Sequence, residues 1–377
     1  MFYALLTLTF LYSLACLWLL KRWQAICRRP QATVVLPVGL QLSVIIAVRN
    51  EALHIADLLS DLLVQTLPKN QFEIIVADDA STDDTGLIVK QFQEKNALNL
   101  TLISLPDAPM AAPKKRALAE ALRVASGTLI VTTDGDCRAT AQWLETIAQT
   151  YVETNAKFIS GPVTFLPPNK DLFDVFQTVE FASLIGTGAC LVEAGYPTMC
   201  NGANLAFERA AFEAVGGYAG TDHIASGDDE LLMHKMALKY PKQIVFLKNP
   251  AAIIHTAPQA SWRAFYQQRV RWGSKWAANR RVATMSAALF VFLANLTVIV
   301  TGIYYVLGKL SAGEFCAILT LKIIPEFLFL LLIIKFLDKK QLIKYIVFVQ
   351  FFYPFYVLFF GVAAQQKTYI WKGRQLR

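Results

Sequence analysis

Three acidic groups stand where apolar runs stop or a helix begins: Asp78-Asp79 after Ile74-Ile75-Val76-Ala77, Asp134-Gly135-Asp136 after residues 129–133, and Asp228-Asp229-Glu230 ahead of residues 231–238. Adjacent carboxylates repel each other unless a donor or a cation shares the site. For Asp78 and Asp79 a nucleobase N–H or a ribose hydroxyl would supply that donor. Asp134 and Asp136, one glycine apart, can turn toward one point, and hard oxygen ligands of this kind suit Mg²⁺ or Mn²⁺ held between the protein and a diphosphate. Such an ion acts as a Lewis acid on a leaving diphosphate. One carboxylate of the 228–230 group, across the pocket, would accept the proton of an attacking hydroxyl, with its pKa lifted by like-charged neighbours. Plainer readings exist for each group, since Asp and Ser cap helices and build turns and acidic residues at a helix start complement its dipole. Ser81, Asp83, Asp228 and Glu230 fit those plainer readings.

The elements that must position these groups follow from periodicity. Residues 43–48 form a Val- and Ile-rich run ended by Arg49-Asn50-Glu51, and the amphipathic residues 53–63 follow, which predicts a strand feeding a helix. The pattern recurs at 72–77 with 83–93, at 100–105 with 114–124, and at 128–133 with 141–151. Repeated strand–helix units imply an α/β fold with a mainly parallel sheet. In such sheets ligands bind beyond the carboxyl ends of the strands, where the acidic groups collect.

Composition sets the surroundings. The 377 residues are 55% hydrophobic, with a mean hydropathy of +0.41, too apolar for an ordinary soluble protein of this length. Residues 2–20 are uncharged and apolar, long enough to cross about 30 Å of hydrocarbon, and Lys21, Arg22, Arg28 and Arg29 follow at once. A cleaved signal would carry its positive charge before the run. The reading is a retained anchor with the following domain on the cytoplasmic side, by the positive-inside tendency. The six cysteines, Cys16, Cys27, Cys137, Cys190, Cys200 and Cys316, show no paired or zinc-type spacing. The net charge of +8 is concentrated beside apolar runs, including residues 367–377; contact with anionic lipid explains it better than nucleic acid does.

Residues 287–307, 315–337 and 345–364 are each long and apolar enough to span. The basic connector 338–344 suits the cytoplasmic side, so three full spans would leave the basic tail outside, against the same tendency. Either that tendency fails here, or one segment is re-entrant or interfacial. Lys322, Pro325 and Glu326 mark the middle segment as one that lines protein or water. Ahead of these runs stands Gln268-Arg269-Val270-Arg271-Trp272. Trp262, Trp272 and Trp276, interleaved with Arg263, Arg269, Arg271 and Lys275, suggest an interfacial helix rather than a surface for single-stranded nucleic acid.

Taken together, these motifs resemble the family-2 glycosyltransferases, with a GT-A nucleotide-sugar domain, in their membrane-bound synthase form. The resemblance runs from Ser43 through Trp272 and the apolar tail. It implies that Asp78 and Asp79 contact the nucleoside, that Asp134 and Asp136 form the nucleotide and metal Asp-x-Asp with Asp136 as the more direct ligand of Mn²⁺ or Mg²⁺, and that Asp229 is the catalytic base. Gln268, Arg271 and Trp272 fit the Gln-x-x-Arg-Trp element at the diphosphate and acceptor end, and residues 202–207 resemble the acceptor-side segment. Asp228 replaces the commoner glutamate before the base. Pro113 replaces the glycine of a Gly-Lys pair, leaving Lys114 or Lys115 beside the phosphates, with Lys114 taken as the nucleotide contact. His255 is a candidate further metal ligand, though a structural histidine is the commoner case.

The expected layout is an anchor at 1–22, a cytoplasmic GT-A domain at 23–258, an interfacial helix at 259–283, two or three spans at 284–366 and a basic tail at 367–377. The expected activity is inverting transfer of a sugar from a nucleotide sugar, a UDP-sugar, to a lipid or short-glycan hydroxyl at a membrane, the bacterial inner membrane. A processive polysaccharide synthase is the alternative, and a non-catalytic sugar-nucleotide-binding protein a remote one.

Overall fold

The structure, a computed structural model, describes residues 1–26, 35–108, 111–166, 171–274, 282–364, 366, 368–372 and 374–376. Arg28, Arg29, Cys27, Lys275 and Trp276, singled out above, lie outside the described residues. The chain forms two compact units. The sheet unit comprises Ile26–Leu166, Leu191–Ala257 and Ile370–Arg377; the helical unit comprises Met1–Ala25, Pro167–Cys190 and Pro258–Tyr369.

In chain order the strands are β1 (Leu42–Val48), β2 (Phe72–Asp79), β3 (Leu100–Leu105), β4 (Leu129–Asp134), β5 (Phe158–Ser160), β6 (Val163–Phe165), β7 (Leu205–Glu208), β8 (Ile244–Phe246), β9 (Ile254–Thr256), β10 (Tyr369–Trp371) and β11 (Arg374–Leu376). The helices begin with α1 (Phe2–Ala25), α2 (Ile55–Leu63), α3 (Thr85–Lys95), α4 (Pro113–Val124), α5 (Trp143–Thr154) and α6 (Leu172–Glu193). They continue with α7 (Arg209–Ala214), α8 (Glu230–Lys239), α9 (Trp262–Ser274), α10 (Val282–Val306), α11 (Ala312–Phe336) and α12 (Ile346–Ala363).

The sheet unit is built on seven strands in the order β3-β2-β1-β4-β7-β5-β8. β1 pairs in parallel with β2 and β4, β2 with β3, and β5 with β8, while β7 runs antiparallel to β4 and β5. The mainly parallel sheet expected from the sequence is thus present. Val44, Ile45 and Ile46 of β1 are fully buried, as β-branched residues covered on both faces should be. Register places Val48 opposite Asp78 and Ala47 opposite Asp134, so two of the acidic groups leave neighbouring strands at one end of the sheet. The chain order changes direction between β1 and β4, the crevice where open α/β sheets bind ligands.

At the opposite end of the same strands, Gly127 lets the chain pass close to β1. A Cβ there would sit 2.6 Å from the Ser43 nitrogen. The Ser43 hydroxyl accepts from Gly127 N–H (2.8 Å) and donates to Glu73 (2.6 Å), which also accepts from the Ser126 N–H (2.6 Å). One carboxylate therefore ties together the starts of β1, β2 and β4.

Residues 251–254 look strand-like, but Pro250–Ala252 form a 3₁₀ turn capped by the Asn249 side chain, which accepts from Ala251 N–H at 2.9 Å, and the strand proper is β9. Pro250 at the start of the turn fixes its backbone and cannot donate to a ladder.

Among the described residues, five helices are long and apolar enough to cross a membrane by length and composition: Phe2–Ala25, Leu172–Glu193, Thr284–Val306, Ala312–Phe336 and Lys340–Ala363. The second of these is α6, which lies inside the range 23–258 expected for one domain; its residues up to Cys190 belong to the helical unit. A Cβ on Gly186 of α6 would meet the Ile333 side chain of α11 at 2.7 Å, so the glycine leaves room for that side chain.

The middle apolar segment, α11, carries Pro325, Lys322 and Glu326 buried inside the unit. Proline removes the N–H that would bond the carbonyl four residues earlier, here Leu321. The Ser13 hydroxyl of α1 replaces it at 2.5 Å. Lys322 and Glu326 pair at 2.7 Å, and Glu326 also accepts from Tyr12 and, at 3.1 Å, from Gln350 of α12. Both charged groups of the pair thus have protein partners.

Candidate active site

The turns after β1 and β2 are interlocked. Ala80 adopts φ +55°, a left-handed conformation uncommon for a residue with a Cβ, and the turn lets Ser81 N–H reach the Asp78 carboxylate at 2.9 Å. Asn50 N–H donates to the Ser81 hydroxyl (2.9 Å), Glu51 N–H to the Thr85 hydroxyl (2.8 Å), and Asp83 accepts from Thr85 N–H (3.1 Å). Ser81 and Asp83 therefore act as turn residues. Asp78 and Asp79 are both buried. The repulsion expected between them is answered by cations: Arg116 donates to Asp79 at 2.6 Å, Arg374 pairs with it as well, and Arg49 donates to the Asp79 carbonyl at 2.5 Å. The buried Nε atoms of Arg49 and Arg116 have no hydrogen-bond partner among the described residues.

At the end of β4, Asp134 receives the Lys114 ammonium at 2.7 Å, and the same ammonium lies 3.2 Å from Asp228. Burial would lower the Lys114 pKa, yet Asp134 and Asp228 together raise it above the ordinary lysine value. Asp136 accepts from the Thr256 hydroxyl at 3.2 Å. Burial, with Asp134 next, pushes its carboxyl above the usual range, the condition a bound cation relieves. Gly135 is confined between them: a Cβ would meet Val48 at 2.8 Å and Glu51 at 3.0 Å. Glu51 is itself buried, which raises its pKa against the opposing Lys372 ammonium at 2.6 Å.

Asp229 caps α8. One of its oxygens accepts from Glu230 N–H at 2.7 Å and the other from Gly202 N–H at 3.1 Å. The segment 202–207 thus starts on the candidate base. A Cβ on Gly202 would stand 3.1 Å from Asp228 and 3.3 Å from Lys114, so that glycine lets three charged groups close on one point. Tyr218 is buried beside them, its phenol raised by burial and then by Asp228.

Gln268, Arg271 and Trp272 lie on α9 in the helical unit. There Arg269 is the organising residue. It donates to Gln268 (2.5 Å), to Glu180 of α6 (2.5 Å) and to the Tyr356 hydroxyl of α12 (3.0 Å), and its guanidinium stacks 4.2 Å from the Trp272 ring and 4.3 Å from Phe265. The sequence reading gave Arg269 to the lipid surface; the buried Glu180 instead draws it inward, since a guanidinium removed from water requires a paired carboxylate.

A second correction concerns the basic tail. Lys372 and Arg374 look like headgroup contacts in the sequence, but they pair with Glu51 and with Asp79 and Asp107. No local signal could have shown this, because the partners lie about 300 residues away in sequence. Arg116 and Glu51 were closer to view, two residues from Lys114 and just past the end of the first strand. His255 pairs its backbone with Arg138, and no group of three or more His, Cys, Asp or Glu side chains able to hold a metal occurs among the described residues. Asp134 and Asp136 supply hard oxygens on their own, which suits an ion completing its shell with diphosphate and water.

Sheet order, the switch-point crevice and the acidic strand ends define a GT-A-like α/β fold. The Glycosyl transferase family 2 model matches residues 43–216, so this segment carries a domain of that family. Glycosyltransferase AglE of Haloferax volcanii is 29% identical over 191 residues, covering 50% of this chain and 58% of that protein. The probable glycosyltransferase YdaM of Bacillus subtilis is 27% identical over 277 residues, covering 70% and 61%. The matches thus span about six tenths of these relatives' lengths. Among solved structures, the mannosyltransferase PcManGT from Pyrobaculum calidifontis, in complex with GDP-Man and Mn²⁺, superposes with a TM-score of 0.54 at 21% identity, covering 93% of this chain and 95% of that one. That likeness is one of fold.

Proposed function

We propose that the protein is an inverting glycosyltransferase that moves a sugar from a nucleotide sugar, a UDP-sugar, to a hydroxyl of a lipid or short glycan at a membrane. The observation that carries this reading is the closure of Asp134, Lys114, Asp228 and the Gly202–Asp229 contact at the carboxyl end of the sheet. Asp78 and Asp79 receive the nucleoside, with Arg116 and Arg49 holding the pair in place. Asp136 and Asp134 would hold Mn²⁺ or Mg²⁺, which supplies Lewis acidity at the diphosphate. Lys114 balances charge on the same side, and Gln268, Arg271 and Trp272 serve the diphosphate and acceptor end. Asp229 takes the proton of the acceptor hydroxyl as its oxygen forms a bond to the anomeric carbon and the bond to the diphosphate breaks on the opposite face. A single displacement of this kind inverts the anomeric centre.

The membrane reading rests on the apolar helices, and chain connectivity supports its orientation. Residues 167–190 leave the sheet unit and return to it, as do residues 258–369. A unit that stays on one side requires an even number of crossings in each excursion. α6 is then not a crossing, and one of α10, α11 and α12 is re-entrant or interfacial. Lys372 and Arg374 pair with Glu51, Asp79 and Asp107 of the sheet unit, so the tail would share that unit's side, and the positive-inside tendency favours the cytoplasmic one.

The test uses the purified full chain in lipid nanodiscs with Mn²⁺, a panel of UDP- and GDP-sugars and extracted membrane lipid. At least one donor should be consumed, chelation should stop it, and Asp136→Ala should remove it. Consumption of no donor, or an Asp136→Ala variant equal to the wild type, would contradict the reading.

A further inference from the structure

Residues 216–227 lead from α7 into Asp228 and Asp229, and their backbone is held from outside. Gly216 and Gly227 both take positive φ, +72° and +77°, so the loop enters and leaves through conformations that L side chains rarely adopt. Between them the chain makes short turns, with Thr221 N–H on the Tyr218 carbonyl (3.0 Å) and Ile224 N–H on the Thr221 carbonyl (3.1 Å). Such turns do not by themselves fix where a loop sits. Lys115 of α4 does so: its ammonium, buried with the side chain at 2% exposure, donates to the carbonyls of Thr221 (2.7 Å) and Ile224 (3.0 Å). Lys235 of α8 takes the carbonyls of Gly217 (2.5 Å) and Ala219 (3.0 Å).

Lys115 is the chain neighbour of Lys114, in the first turn of α4. Successive helix residues point about 100° apart, and here the two ammoniums divide the work: Lys114 meets Asp134 and Asp228, and Lys115 meets the loop that delivers Asp228 and Asp229. Burying an ammonium is costly, and a methionine would fill the same space without that cost. What an apolar residue cannot do is hold two carbonyls at fixed distance.

We propose that Lys115 is a positioning residue for the catalytic carboxylate, setting Asp229 against the donor held at Asp134 by pinning loop 216–227 to α4. The inference rests on the functional reading above. A misplacement of a reacting group by about 1 Å can cost about 100-fold in rate, whereas nucleotide binding at Asp78 and Asp79 does not depend on this loop.

The experiment compares Lys115→Met and Lys115→Arg with the wild type, measuring kcat with the UDP-sugar the wild type consumes and the Kd of UDP with Mn²⁺. The expected result for Lys115→Met is a kcat lower by at least about tenfold with a Kd for UDP within about twofold of the wild type, and partial recovery of kcat in Lys115→Arg. Lys115→Met with an unchanged kcat, or with kcat and UDP affinity falling together, would overturn the proposal. Lys115→Gln, which keeps one donor, carries the same comparison if the methionine variant does not fold. An active wild type matched by Lys115→Met sinks this inference alone; a wild type that consumes no donor sinks the functional reading.

Discussion

The Lys114 ammonium lies 2.7 Å from Asp134 and 3.2 Å from Asp228, so one side chain joins the end of β4 to the residue before the candidate base. Lys114→Met should leave two carboxylates facing each other without a cation. A lost charge-assisted hydrogen bond of this kind is worth about 1.5–3 kcal/mol, so kcat/KM for the donor should fall about 10- to 100-fold, with a raised KM. Steady-state kinetics on the purified variant checks it; a change below about twofold would remove Lys114 from the site.

Glu73, at the opposite end of the strands, gives a pH-dependent stability. Burial alone would raise its carboxyl, but hydrogen bonds from Ser43, Ser126 and Gly127 hold it below the usual range. A depressed folded-state pKa contributes stability that is present above the unfolded value, about 4.3, and is lost as pH falls through the folded one. Glu73→Gln should lower stability at pH 7 by on the order of 1 kcal/mol, reduced by solvent screening at this half-buried site. The difference from wild type should shrink below about pH 4. Thermal unfolding from pH 3 to 7 measures both.

How far these features show in the sequence depends on whether a local pattern reports them. The first four strand–helix units stand within a few residues of their periodicity, because β1, β2 and β4 are continuous β-branched runs that only a doubly covered strand explains. The acidic strand ends were visible for the same reason: each interrupts such a run. α6 was not seen, since Asp174, Gln177 and Glu180 interrupt its apolar residues without setting an amphipathic period, and Glu180 alone gave no hint of Arg269. The short strands β5 to β8, three or four residues each, offer too little pattern to register. The contacts of Lys372 and Arg374 arise from tertiary return of the chain, which spacing does not encode. Lys322 and Glu326 were legible because they stand one helical turn apart inside an apolar run.

That pair yields a stability prediction. Lys322 and Glu326 are both buried, and Tyr12, Ser13 and Gln350 close the cluster around them and the Pro325 break. Removing one partner strands the other charge, so Glu326→Leu should cost about 3–5 kcal/mol, whereas the double change Lys322→Met with Glu326→Leu should be near neutral. Thermal unfolding in detergent of both singles and the double distinguishes this from independent, additive losses.

The central claim is that Asp229 takes the proton of the acceptor hydroxyl, and Asp229→Asn tests it most directly. The amide can still accept from Gly202 or Glu230 N–H but cannot serve as a base. The account predicts that kcat for sugar transfer falls by at least about 100-fold while the Kd of UDP with Mn²⁺ stays within about twofold of the wild type. An Asp229→Asn enzyme that transfers sugar at the wild-type rate would contradict it.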